Sequence, residues 1–383
     1  MVHKVCTTRY TNGAMSNRTK KLRARPLGLP FEGRTGKNNA ITDVEGVLVG
    51  YSTIVEGHGP LEVGRGPVRT GVTAILPRGH SKEMRPIWAG FHALNGNGEM
   101  TGVHWINHAG HFYGPICITN THSVGTAHAA ATRWMIDHHR DDFRNQHVWA
   151  LPVIAETYDG KLNDINGQHV REEHVLAAID GATDGPVAEG NVGGGTGMIA
   201  YEFKGGTGTA SQKVALGDKD YTVGVLVQAN HGIRDWLTVL GVPVGKYMRD
   251  DRLVATEQGS IIVVIATDIP MLPHQLQRVA QRASLGIGKG GTPGGNSSGD
   301  IFLALSTANS IPRAEAMARP RSMECIPDEW LDPVYLATIR AVDESIVNAM
   351  LAAEDTPCLK PAGKICRAID GPKLLELVRN HTG

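Results

Sequence analysis

One uninterrupted apolar run constrains the fold more than any other part of this sequence. Six residues, Ile-Ile-Val-Val-Ile-Ala at 261–266, follow Ser260 with no polar side chain among them. β-Branched residues favour an extended chain, and a run without polar positions leaves no face for water. The run therefore predicts a strand covered on both faces, with Ser260 as its first residue. A chain that buries such a strand needs packed layers on either side of it.

Other segments can supply those layers. Short β-rich stretches separated by glycine-rich turns predict further strands. In 123–139 a serine in the capping position precedes apolar residues at helical spacing. A second helix begins after Pro273 and ends near Gly286, and a third lies around 339–350. Interleaved helices and strands predict an α/β protein of layered α+β type. The further strands are predicted at 47–54, 71–76, 198–203, 221–229 and 300–308.

The charge balance limits the partners. The 38 Lys and Arg residues equal the 38 Asp and Glu residues in number. Such a chain has no overall basic field to attract nucleic acid or anionic lipid, so we expect neither as a partner. The sequence has no stretch approaching the ~18 apolar residues of a membrane span. A small, weakly charged substrate fits this composition best.

Cysteine usage and the N-terminal segment indicate the compartment and the domain plan. The five cysteines are odd in number and scattered, without a C-x-x-C pair, which is typical of a reducing compartment. The basic N-terminal segment lacks the apolar region of a secretory signal, so we expect a cytoplasmic protein. For residues 1–38 the sequence predicts a polar arm that is flexible or packs on a neighbouring subunit. For residues 39–383 it predicts one domain.

The Gly259-Ser260 pair is the first candidate for chemistry. A glycine permits strained backbone before the buried strand, and Ser260 could then attack the Gly259 carbonyl and convert the amide to an ester. Hydrolysis of that ester would leave Ser260 with a free α-amine. An α-amine with a pKa of ~7.7–8.0 can act as general base for its own hydroxyl. Taken alone, a Gly-Ser pair also fits a simple turn.

Ser298 and Asp300 form a second candidate group. They stand two residues apart at the start of a predicted strand, and such residues point to the same side of an extended chain. A hydroxyl backed by a carboxylate can orient a proton at the Ser260 amine or hydroxyl. The alternative is that both residues only cap a turn.

Three further side chains could handle a substrate. Asn230 ends a predicted strand beside a glycine-containing turn, where its amide could donate to a developing oxyanion. Glu156 and Tyr158 follow an apolar run. Glu156 could bind a substrate ammonium, and Tyr158 could donate to the reacting oxygen. Read singly, these residues also fit ordinary turns.

The histidines raise the question of a metal site, because the chain has 17 of them. Neither the group His104, His108 and His111 nor the pair His138 and His139 has the H-E-x-x-H form or a paired carboxylate. We therefore expect no metal and no cofactor.

Taken together, these segments resemble the DmpA-type family of self-processing aminopeptidases, which includes the L-aminopeptidase D-amidase/esterases and the β-peptidyl aminopeptidases. The resemblance extends from about residue 29 to residue 308. It is carried by an ordered series of segments, which is more specific than any single motif. Besides those quoted above, the matching segments are 39–44, 118–121, 190–197 and 299–301.

The resemblance implies an αββα sandwich that is similar to N-terminal-nucleophile hydrolases in layering but differs in connectivity. It also implies cleavage between Gly259 and Ser260 and a homo-oligomer of cleaved heterodimers. The implied roles are Ser260 as nucleophile, Asn230 and Tyr158 at the oxyanion, Ser298 and Asp300 in support, and Glu156 at the substrate amine. Some members carry Glu where this chain has Asp300, which bears on the relay distance.

The sequence predicts an N-terminal-serine aminopeptidase or amidase for short peptides, amides and esters with a free amine. Two alternatives stay open. One is an acyltransferase in which an amine intercepts the acyl-enzyme. The other is an uncleaved homologue that binds amino compounds without catalysis. Preference for L, D or β residues depends on pocket shape, which no spacing in the sequence reveals.

Overall fold

Two β-sheets form the centre of the computed structural model, which describes residues 22–253, 256–313 and 320–382. One sheet has the strand order β1-β2-β5-β6 and the other the order β4-β3-β12-β11-β10-β9. The strands are β1 Leu48–Glu56, β2 Val68–Leu76, β3 Ile87–Ala93, β4 His111–Phe112, β5 Ile116–Asn120, β6 Val153–Thr157, β7 Ile199–Ala200, β8 Phe203–Lys204, β9 Gly206–Leu216, β10 Lys219–Asn230, β11 Ser260–Thr267, β12 Gly299–Ser306, β13 Thr356–Pro357 and β14 Ile365–Cys366.

Helices cover the outer faces of both sheets. The longer ones carry apolar residues on the side that meets a sheet, as their spacing requires. The helices within the described residues are α1 Ala24–Leu27, α2 Val103–Ala109, α3 Val124–His138, α4 Arg140–Asn145, α5 Glu172–Asp180, α6 Pro273–Lys289, α7 Leu331–Ala352 and α8 Gly371–Thr382.

Strand β11 separates two of the three main apolar layers. Its residues Ile261 and Val263 pack under α6 and α7, whereas Ile262 and Val264 pack between the two sheets. A third layer lies between the smaller sheet and helices α3 and α5. The order of layers is therefore helix, sheet, sheet, helix, which confirms the predicted αββα sandwich. Every residue of β11 is buried, as its uninterrupted apolar sequence predicts.

Strand β11 lies inside its sheet between partners of opposite direction. It pairs antiparallel with β10 and parallel with β12. The first residue of β11, Ser260, therefore has Asn230 on one side and Gly299 on the other. This arrangement brings together three segments that the sequence analysis singled out.

The prediction of a single strand at 198–203 is wrong. They form the hairpin of β7 and β8, with Tyr201 and Glu202 in left-handed conformation at the turn (φ 50° and 62°). The Glu202 carboxylate is buried and accepts the amides of Arg234 (3.0 Å) and Leu253 (2.6 Å). Contacts far away in sequence hold this turn, and local propensity does not report them.

Two predicted helix ends also differ. The Ser123 side chain does not cap α3; the Asn120 side chain instead accepts the His122 amide (3.1 Å) in the preceding turn. Helix α6 continues past Gly286 to Lys289. A Cβ at Gly286 would lie 2.6 Å from the Cβ of Val342, so this glycine permits close packing of α6 on α7.

The described part of the predicted arm, residues 22–38, packs on its own chain. Ala24 is buried in the core layer under α7, and its amide donates to Asn348 Oδ1 (2.9 Å). The Arg25 guanidinium pairs with the Glu344 carboxylate (2.9 Å). Residues 1–21 lie outside the described residues. None of the helices that the structure describes is long and apolar enough to cross a membrane.

Candidate active site

Ser260 and Asn230 are direct neighbours across the β10–β11 ladder, where they form its last residue pair. Alternation along β11 puts Ser260 on the side of Ile262, which faces the other sheet. Asn230 lies on the same side as Gln228, whose amide donates to Thr119 O and Thr157 Oγ1 of the smaller sheet. Cβ atoms of directly opposed residues are about 4.5–5.5 Å apart, so these two side chains are within reach of each other.

The Asn230 amide is held in one orientation. Its Oδ1 accepts the Ile199 amide (2.8 Å), and its Nδ2 donates to the Tyr158 carbonyl (3.1 Å). An amide NH₂ has two donor hydrogens, so the second one is available to a reacting oxygen. A fixed donor of this kind can stabilise an oxyanion without reorganising during the reaction.

Gly259 contacts the main chain of the neighbouring strand closely. A Cβ at this position would lie 2.0 Å from the Asn230 carbonyl oxygen and 2.7 Å from the His231 Cα. Both are backbone atoms that cannot rotate away, so only glycine fits without movement of the chain. Gly259 also lines a small cleft with Tyr158, Asn230 and Gly232. The glycine requirement here comes from close approach, since its φ is not left-handed.

Ser298 and Asp300 form the predicted hydroxyl–carboxylate pair. Ser298 Oγ donates to Asp300 Oδ1 (2.6 Å), and both residues are buried. Asn95, in the loop after β3, holds Asp300 twice: its Nδ2 donates to Asp300 Oδ2 (2.9 Å), and its Oδ1 accepts the Asp300 amide (2.6 Å). Burial raises the pKa of Asp300, while hydrogen bonds from Ser298, Asn95 and the Ile261 amide oppose the rise.

The hydroxyl–carboxylate pair and Asn230 lie on opposite faces of the larger sheet. Along β12, Ile301 packs between the sheets, whereas Phe302 packs under the helices, so Asp300 belongs to the helix side. Ser260 belongs to the other side. The main chain of Ser260 therefore lies between its own side chain and the Asp300 carboxylate.

Glu156 is a buried carboxylate near the end of β6. Its Oε1 accepts the Glu99 amide (2.9 Å), and the Thr121 hydroxyl donates to its Oε2. Burial raises the pKa of Glu156, and these two hydrogen bonds oppose the rise. A carboxylate with two of its lone pairs occupied and the others free can accept hydrogen bonds from an ammonium group.

Tyr158 differs from the other candidates because 40% of its surface is exposed. Its hydroxyl lies against Gly160, where a Cβ would come within 2.3 Å of it. The ring lines the same cleft as Asn230 and Gly259, and its centroid is 6.4 Å from the ring centroid of His122. The structure therefore places Tyr158 in the wall of the cleft that Gly259 also lines.

Sequence reasoning missed two residues of this site. Asn95 lies in a glycine-rich loop that reads as an ordinary turn, and its role depends on Asp300, which is 205 residues away. Thr121 belongs to segment 118–121, which carries part of the family resemblance, but the sequence assigns it no role. No local signal in the sequence identifies either contact. Within the described ranges, no three His, Cys, Asp or Glu side chains form a group that could hold a metal ion.

Known proteins resemble this chain along most of its length. Residues 39–362 match peptidase family S58. The chain is 53% identical over 348 residues to the β-peptidyl aminopeptidase BapA of Sphingosinicella microcystinivorans, which covers 87% of this chain and 86% of that protein.

Solved structures agree with the sequence comparison. The L-aminopeptidase D-Ala-esterase/amidase from Ochrobactrum anthropi has a TM-score of 0.89 at 55% identity, covering 94% of this chain and 98% of that one. It is described as a prototype of the serine aminopeptidases and a variant of the N-terminal-nucleophile hydrolase fold. A β-aminopeptidase from Burkholderia sp. has a TM-score of 0.85 at 43% identity, covering 94% and 99%.

The αββα layers, the family match and the relatives agree on one kind of enzyme, a serine aminopeptidase with a variant N-terminal-nucleophile hydrolase fold. The chain belongs to peptidase family S58, the DmpA-type aminopeptidases.

Proposed function

We propose that this aminopeptidase cuts its own chain between Gly259 and Ser260 and then uses Ser260 as its N-terminal nucleophile. The observation that carries the proposal is the junction itself. Gly259 occupies a position where no side chain fits, and it precedes the buried Ser260. Ser260 in turn neighbours a fixed amide donor, Asn230.

In the cleavage step, Ser260 Oγ attacks the Gly259 carbonyl carbon. The new C–O bond replaces the C–N bond of the peptide, and the hydroxyl proton ends on the Ser260 nitrogen. Water then hydrolyses the ester, which leaves a carboxylate on Gly259 and restores the Ser260 hydroxyl.

In turnover, the Ser260 α-amine takes the hydroxyl proton as Oγ attacks the substrate carbonyl. The free Nδ2 hydrogen of Asn230 and the Tyr158 hydroxyl stabilise the oxyanion. The leaving amine receives the proton, and water releases the acyl group. We assign the Ser298–Asp300 pair to the α-amine rather than to the hydroxyl, because Asp300 lies on the face of the sheet opposite the Ser260 side chain.

Glu156 binds the free amine of the substrate in this proposal, since its buried carboxylate retains unoccupied lone pairs. The substrate class is then short peptides, amino-acid amides and esters with a free N-terminal amine. The relatives named as β-peptidyl aminopeptidase and as L-aminopeptidase D-Ala-esterase/amidase support this class. We further propose a cytoplasmic homo-oligomer of cleaved heterodimers, in which residues 39–383 form one domain and residues 22–38 pack on it.

Ser260→Ala tests the proposal because both reactions need the same hydroxyl. We expect the wild type to give two fragments, the smaller with the N-terminal sequence Ser-Ile-Ile-Val, and the variant to stay a single 41.0 kDa chain without turnover. Ser297→Ala is the matched control, since Ser297 is an exposed serine in the loop before β12. An intact wild type, or turnover by Ser260→Ala, would refute the proposal. Adding a competing amine to the assay measures any acyl transfer.

A further inference from the structure

Glu257 lies three residues before Ser260 and holds the segment that precedes the proposed cleavage bond. Its Oε1 accepts the Gly232 amide (2.7 Å). Its Oε2 lies against Gly295, where a Cβ would come within 1.9 Å of it. Glu257 therefore contacts both the turn after β10 and the loop before β12.

The turn that is hydrogen-bonded to Glu257 directly follows Asn230. Gly232 has a φ of +82°, and a Cβ there would lie 2.4 Å from the Tyr201 ring, so the turn has little freedom. The bond from Gly232 to Glu257 thus ties the chain two residues after Asn230 to the chain two residues before Gly259. Together with the close contact between Gly259 and the Asn230 carbonyl, it fixes both ends of the short path that leads to the Gly259-Ser260 bond.

The surroundings of Glu257 do not favour a charge. Burial raises the pKa of Glu257 and the Asp300 carboxylate adds to the rise, whereas the Gly232 amide and, to a smaller extent, the Gly295 amide oppose it. The hydrogen bond from the Gly232 amide to Oε1 offsets part of the cost of burying this carboxylate. After cleavage, Glu257 would belong to a free chain end that carries a second carboxylate at Gly259.

We propose that Glu257 is a positioning residue for self-cleavage and that aminopeptidase turnover does not use it. This inference rests on the proposed function. Glu257 acts through the Gly232 amide: it holds Gly259 against Asn230, so that the carbonyl carbon stays within reach of Ser260 Oγ. Once the bond is cut, the carbonyl that Ser260 attacks belongs to a substrate, so the hydrogen bond between Glu257 and Gly232 is not needed for turnover.

The test compares Glu257→Ala with Glu257→Gln. Alanine removes the hydrogen-bond acceptor, so we expect self-cleavage to slow at least tenfold, on the order of the loss for a charged hydrogen bond. Glutamine keeps an oxygen for the Gly232 amide, so we expect partial rescue. Gln258→Ala, an exposed neighbour in the same segment, is the control and should cleave like the wild type. Cleavage is followed after cell-free synthesis as loss of the 41.0 kDa band.

A second readout separates positioning from a general structural role. The kcat and KM for an amino-acyl p-nitroanilide, expressed per mole of cleaved chain, should equal the wild-type values in the glutamine variant. Cleavage of Glu257→Ala at the wild-type rate would overturn the inference, as would an equal loss of kcat in cleaved molecules. A Glu257→Gln precursor that melts well below the Ser260→Ala precursor would do so too. An uncleaved wild type would instead refute the proposed function itself.

Discussion

Replacing Gly259 with alanine tests how tightly the structure holds the proposed cleavage bond. The added Cβ would lie 2.0 Å from the Asn230 carbonyl oxygen, whereas contacts below about 3.0 Å are essentially never seen. The segment must therefore move by at least about 1 Å. The displaced group is the carbonyl that Ser260 would attack, and a misplacement of about 1 Å can cost roughly a hundredfold in rate. We expect Gly259→Ala to cleave itself about 100 times more slowly.

The assay is a time course of the 41.0 kDa chain on a denaturing gel, with N-terminal sequencing of the smaller product. Gly288→Ala is the matched control, because a Cβ at Gly288 in helix α6 meets nothing within 4 Å. Alanine is the better helix former, so this control should retain stability and cleavage rate. Cleavage of Gly259→Ala at the control rate would contradict the reasoning, because the close approach to Asn230 would then have no kinetic role.

Three further predictions follow from the described contacts. Glu156→Gln should raise KM about tenfold or more and leave kcat within a few fold, because a charged hydrogen bond to the substrate amine is lost; unchanged KM in steady-state assays would refute this role. Asn95→Ala should lower kcat and move the acidic limb of the kcat/KM profile to higher pH, because a bond that opposes the raised pKa of Asp300 is lost; an unmoved limb would contradict it. Burial lowers the pKa of Lys204 to about 7. In the unfolded chain the Lys204 ammonium keeps its proton up to about pH 10. The free energy of unfolding of the wild type therefore rises by up to a few kcal/mol between about pH 7 and about pH 10. Lys204→Met should flatten that gain in urea unfolding, and an identical slope would refute the sign.

The sequence was sufficient where a local pattern decides the structure. The uninterrupted run after Ser260 predicts a strand buried on both faces, and the strand is buried throughout. The spacing of Ser298 and Asp300 predicts side chains on one side of the chain, and they share a hydrogen bond. In both cases the residues that determine the geometry are adjacent in sequence, so their pattern is enough.

Local patterns failed where distant contacts decide. The hairpin at Tyr201 and Glu202 depends on the Glu202 carboxylate, which accepts an amide 51 residues away. A glycine is typical of a helix end, but Gly286 lies inside helix α6 and permits close packing of that helix on Val342. The sequence does not assign Asn95, a loop residue, to the site because its partner, Asp300, stands at the start of a strand 205 residues further along the chain. The catalytic roles of Ser260 and its neighbours remain predictions that the proposed variants test.

The N-terminal segment has a consequence for what self-cleavage would do to the whole molecule. Ala24 and Arg25 precede the cut, whereas their partners Asn348 and Glu344 follow it. The same is true of strands β10 and β11, which share a ladder from Val223 to Asn230. The two polypeptides would therefore stay interlocked through a common core, and gel filtration without denaturant should detect a single particle. Cleavage would thus free the α-amine of Ser260 and leave the fold intact.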